Sequence, residues 1–130
     1  MHDLIRHYAS QPVWAVVGAS NDRTKYGNRI YRTLRGAGYT VFAVNNREAT
    51  VEGDPAYATL SDLPRTPTVV DMVIPPHVAL PVVQEAHALG AEAIWFQPGA
   101  EDPDAMRWAE EQGMDVIESC ILVHHVRIEG

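Results

Sequence analysis

A single cysteine, Cys120, excludes an intrachain disulfide framework and fits a reducing compartment. No apolar run approaches the ~18 residues that a membrane-crossing helix needs. The opening segment MHDLIRHYASQP has charge where a signal peptide would have its apolar stretch, so the expected location is cytoplasmic. The chain also lacks biased tracts, linkers and internal repeats, which leaves one compact domain spanning 1–130 with a helical extension at 1–12. Acidic residues are missing between positions 23 and 47. The compact GxGxxG of a dinucleotide-binding turn is missing too; the corresponding junction reads VVGASNDRTKYG.

The net charge of −7 disfavours general nucleic-acid or membrane-surface binding. Six of the ten cationic side chains (Arg23, Lys25, Arg29, Arg32, Arg35 and Arg47) fall in the acid-free window. The rest of the chain carries four basic against seventeen acidic residues, or −13. An acidic protein with one cationic segment is suited to a small, discrete anion.

Apolar runs of strand length recur at 13–18, 40–45, 69–74, 91–97 and 114–120. Their near-continuous hydrophobicity suits strands buried on both faces. Helices are expected at 27–37, 78–89 and 103–112, with a further short one in the first dozen residues covering a sheet edge. In the first of the three, Ile30, Tyr31, Leu34 and Ala37 share a face, and Arg29, Arg32 and Arg35 read as a solvated opposite face. In the second, Val78, Val82, Val83, Ala86 and Leu89 form the apolar stripe. Residues 46–68, with Gly53, Pro55, Pro64 and Pro67, read as an irregular crossover. The alternation predicts an α/β, Rossmann-like, doubly wound parallel sheet of five strands in the order 3-2-1-4-5, with right-handed crossovers.

Ligands of such sheets bind beyond the carboxyl ends of the strands, where strand order reverses. That directs attention to Gly18, Ala19 and Ser20, followed by a helix whose N-terminus favours phosphate. Lys25 in the first turn opposes the helix dipole at a cost of roughly 0.3–1 kcal/mol unless an anion sits against it. Arg23 adds positive charge to the same loop. The second strand ends in Asn45-Asn46-Arg47, without the carboxylate that grips an NAD ribose. Arg47 instead suits a ribose phosphate, at the 2′ position in NADP or the 3′ position in coenzyme A. Pro75 and Pro76 end the third strand as a stiff apolar wall, and Gln97 and Gly99 follow the fourth.

The ordered set VVGAS, KYG, GYTVFAVN, GDPAY, TLSDLP, PP-HVA, GAEAIWFQPGA and a final cysteine resembles the small stand-alone CoA-binding proteins. These are similar to the CoA-binding domain of the succinyl-CoA synthetase α subunit. The resemblance runs from about Pro12 to Val126. It implies a Rossmann-like domain that binds coenzyme A, with Gly18, Ala19, Ser20, Lys25, Tyr26 and Gly27 in the first loop. Asn45, Pro75, Pro76, Gln97 and Gly99 are carried over at the later strand ends. Two departures stand out: Val44-Asn45-Asn46 replaces a Val-Asn-Pro, and Glu118-Ser119 precedes the cysteine in place of an Asp-Arg pair.

Neither paired carboxylates placed for acid–base work nor a nucleophile–base pair is legible. The six histidines, including His124 and His125, form no metal-ligand spacing with Cys120. The expected function is therefore non-catalytic binding of coenzyme A or an acyl-CoA, as a carrier, sensor or regulatory module, with no nucleic-acid or membrane partner. Two alternatives remain: an NADP-binding oxidoreductase domain, and a redox interaction protein acting through Cys120.

Overall fold

The computed structural model describes residues 2–123. In chain order the elements are α1 (His2–Ala9), β1 (Val13–Val17), α2 (Tyr26–Gly36), β2 (Thr40–Val44), β3 (Thr50–Val51) and β4 (Asp54–Tyr57). There follow a 3-10 turn at Leu60–Asp62, β5 (Val69–Met72), a 3-10 turn at Pro76–Val78, and α3 (Ala79–Leu89). The chain continues through β6 (Ala93–Phe96), α4 (Pro103–Glu111), β7 (Asp115–Glu118) and a 3-10 turn at Ile121–Val123.

The seven strands among the described residues form one sheet in the order β3-β4-β2-β1-β5-β6-β7. All pairings are parallel except that between β3 and β4. The expectation of five strands in the order 3-2-1-4-5 is thus corrected to seven in a mixed sheet. The place outside β2 belongs to β4, and the strand at 69–72 lies on the other side of β1. Sequence pattern misses β3 and β4 for physical reasons. They are short, Pro55 interrupts β4, and their tight turn puts Glu52 (φ 51°) ahead of Gly53 (φ 83°). A turn with two positive φ angles usually advertises itself with Asn or Asp at the first position.

Side chains alternate across β1 as the pleat requires. Trp14 and Val16 join the core beneath α1 and α2, whereas Ala15 and Val17 join the core beneath α3 and α4. The helices lie where their periodicity puts them. α2 buries Ile30, Tyr31 and Leu34, and α4 begins at an Asp102 cap that accepts from the Ala105 N–H at 3.0 Å. Register aligns Val17 with Val44 of β2 and with Met72 of β5. The next residues, Gly18, Asn45 and Val73, therefore emerge side by side at the carboxyl edge.

Candidate functional site

Two glycines set the approach of α2 to that edge. Gly18 has φ 104°, and a Cβ there would come under 3.0 Å from the Val73 carbonyl. A Cβ at Gly27 would come under 3.0 Å from the Gly18 carbonyl. The start of α2 is thus pressed onto the end of β1. Lys25 occupies the N-cap with extended backbone; no side chain caps the helix, and its first turn has no acidic residue.

The loop between Gly18 and Lys25 is fixed from outside. Asn21 donates to the Thr50 carbonyl at 2.7 Å and accepts from the Glu52 N–H at 2.8 Å. Arg23 engages Glu52 through two nitrogens, at 2.6 and 3.2 Å. Asn28 donates to both the Ser20 carbonyl and Glu52. These bonds, that of Arg23 foremost, hold the Glu52 carboxyl down at about 2. Arg35 pairs with Asp54 at 2.7 Å, and Arg32 donates to Asn28. The arginine face of α2 is therefore partly tied to the hairpin, not simply solvated as the sequence implies. Asn45 bridges the two loops, donating to the Ala19 carbonyl and accepting from the N–H groups of Arg47 and Glu48.

A cavity of about 560 Å³ opens over this edge. Gly18, Ser20, Lys25, Asn45, Asn46, Arg47 and Pro75 are among the residues that line it. Leu60, Ile74, Val78 and Val82 add apolar lining. Among the described residues, neither Lys25 nor Arg47 enters an ion pair. Asp22, whose charge reaches Lys25, directs its carboxylate to the Thr24 N–H and hydroxyl. The lining thus combines the cations Lys25 and Arg47 with apolar side chains.

Several expected residues lie elsewhere. Ala19 and Gly27 are buried support behind the loop, and Arg23 is taken up by Glu52. Pro76 and Gly99 do not line the cavity. Gln97 is fully buried, donating to Asp71 at 2.7 Å and accepting from the Ile121 N–H at 3.3 Å. The Tyr26 hydroxyl turns away to the Cys120 sulfur. His124 and His125 lie outside the described residues.

Sequence reasoning missed Ala58, Thr59, Leu60 and Glu85 as lining residues and assigned Val78 and Val82 to a core stripe. Glu85 accepts from the Leu60 and Ser61 N–H groups and the Ser61 hydroxyl, so α3 holds the 3-10 turn against the cavity. The available signal was TLSD, in which Asp62 reaches back to the Thr59 N–H and hydroxyl, a helix-start pattern.

A family model described as CoA binding domain matches residues 12–126. The chain belongs to that family. The resemblance noted in the sequence is thereby met across its whole expected extent. Among solved structures, a hypothetical protein from Pyrococcus horikoshii OT3 is 29% identical with a TM-score of 0.94, covering all of this chain and 93% of that one. A conserved hypothetical protein from Pyrococcus furiosus is 38% identical with a TM-score of 0.80, over 86% of this chain and 97% of that one. The ADP-forming acetate–CoA ligase I of Archaeoglobus fulgidus is 34% identical over 73 residues, which are 56% of this chain and 11% of the ligase. A second curated relative is matched over 18% of its length, so the match spans between about a tenth and a fifth of such proteins.

Proposed function

We propose that this domain binds coenzyme A or an acyl-CoA in the cavity at the carboxyl edge of the sheet, as a carrier, sensor or regulatory module. The observation that carries the reading is the pair of cavity-lining cations, Lys25 and Arg47, that enter no ion pair among the described residues, while Arg23 and Arg35 are paired with Glu52 and Asp54. The diphosphate lies against Lys25, Ser20 and the uncapped start of α2, where backbone N–H groups and the helix dipole favour negative charge. Arg47 takes the ribose 3′-phosphate with its planar fork. The purine lies against the apolar wall of Leu60, Pro75 and Val78. Family membership supports the ligand class. The curated ligases support the ligand class alone, because the matched segment is a small part of them.

Parallel calorimetric titrations with coenzyme A, dephospho-coenzyme A and NADP test this. Coenzyme A binds most tightly, and removing its 3′-phosphate weakens binding roughly tenfold, the scale of one charge-assisted contact. Arg47→Ala abolishes that preference. Tight NADP binding without coenzyme A binding would defeat the proposal.

A further inference from the structure

A second polar cluster is built from the ends of β5, β6 and β7 and the start of α2. Tyr26 directly follows the cavity-lining Lys25, and its hydroxyl meets the Cys120 sulfur. Cys120 follows β7, is partly exposed, and is the sole thiol of the chain. Beneath it, Asp71 of β5 is fully buried. Its neighbours across the sheet, Val16 and Trp95, belong to the core under α2, so the carboxyl lies on the same face. Its Oδ1 accepts from Gln97, whose other end holds the Ile121 N–H next to Cys120. Its Oδ2 is, among the described residues, the buried side-chain oxygen left without any partner. When ionised, Asp71 acts on the Tyr26 hydroxyl from this position. An orphaned oxygen inside a core is a costly arrangement that packing does not explain.

We propose that Cys120 is the site of a reversible mixed disulfide, formed by exchange with the disulfide of coenzyme A; this rests on the coenzyme A reading above. From the end of β1 to the end of β7 is three strand spacings, on the order of 15 Å, within reach of an extended pantetheine arm. The arm brings its sulfur toward the partly exposed Cys120. The Cys120 thiolate attacks one sulfur of coenzyme A disulfide, forming the new S–S bond as the old one breaks. The departing coenzyme A thiolate carries away the electron pair and takes up the proton that Cys120 released. Cys120 is oxidised, the departing sulfur is reduced, and no further oxidant is needed. Tyr26 stays protonated, because burial and its bond to Cys120 push its pKa up, and it is placed to donate a hydrogen bond to the sulfur once Cys120 ionises.

The test incubates the purified chain with coenzyme A disulfide or glutathione disulfide and follows intact mass. One coenzyme A adduct per chain is expected, removed by dithiothreitol, and formed roughly tenfold or more faster than the glutathione adduct, because nucleotide binding raises the local disulfide concentration. Cys120→Ser gains no adduct yet retains coenzyme A affinity in calorimetry. Tyr26→Phe slows adduct formation without weakening coenzyme A binding. Wild-type protein that binds coenzyme A but forms no adduct, or that reacts equally fast with glutathione disulfide, overturns the exchange site and leaves the binding function standing. Failure of both wild type and Cys120→Ser to bind coenzyme A overturns the functional reading and the exchange site with it.

Discussion

Lys25 stands at a position where the α2 dipole repels it and where an anionic ligand turns that repulsion into attraction. Two effects of opposite sign follow from Lys25→Ala. The free protein gains stability, by about 0.3–1 kcal/mol at low ionic strength, because a misplaced charge is gone. Coenzyme A affinity falls roughly tenfold, because a charge-assisted contact is lost. Thermal melting of the free protein and calorimetry measure the two separately. Asp71 supplies a second case of polar cost in the core. Burial pushes its carboxyl up to about 8, against a smaller opposing pull from the Gln97 hydrogen bond. An unfolded aspartate releases its proton near pH 4, so between there and about 8 the folded chain holds the extra proton. Its stabilising share is complete at low pH and is lost as pH rises through about 8. Asp71→Asn removes that slope: relative to wild type, its melting temperature rises progressively from about pH 5 to pH 8 and levels off beyond. Parallel curves at all pH values would contradict a raised Asp71 pKa.

At the scale of elements, the junction of β1 and α2 is set by contact between two backbones. Gly27→Ala drives a methyl into the Gly18 carbonyl and pushes α2 outward. We expect a loss of about 1–3 kcal/mol of stability, typical of overpacking, with weakened coenzyme A binding as the uncapped helix start retreats. Denaturant unfolding and calorimetry report the two effects. Ala at Gly36, where an added Cβ meets nothing within 4 Å, serves as the control. This junction was legible from VVGAS and KYG because it is local, with glycine, cation and helix start adjacent in the chain. Leu60 and Glu85 were not, because they approach the cavity only once β4 and β5 take their places on opposite sides of the β2–β1 pair. β1, β5 and β6 announced themselves as apolar runs buried at every position. β4 was hidden by Pro55 and by pairing with β2 through only Ala43–Ala56 and Val44–Tyr57. Val78 looked like core in helical periodicity, yet 41% of it is exposed, because its face meets the cavity.

Across the whole molecule, charge is divided between an acidic remainder and one cationic segment at 23–47. The field of the remainder repels an anionic ligand while the cavity attracts it, and salt screens both. Lys25 and Arg47 act at contact distance and the acidic remainder from farther away, so added salt suppresses the repulsion of the remainder first. Coenzyme A affinity should therefore vary less than tenfold between about 50 and 200 mM salt, far less steeply than for an all-cationic nucleic-acid binder. Titration across that range is the check. The Asn21 amide carries a consequence at this scale as well. It takes the Thr50 carbonyl and the Glu52 N–H, the two groups flanking Val51 that a parallel neighbouring strand would claim. The terminal strand β3 is therefore stoppered by a side chain from the loop between Gly18 and Lys25, and a second molecule finds no open ladder there on which to polymerise.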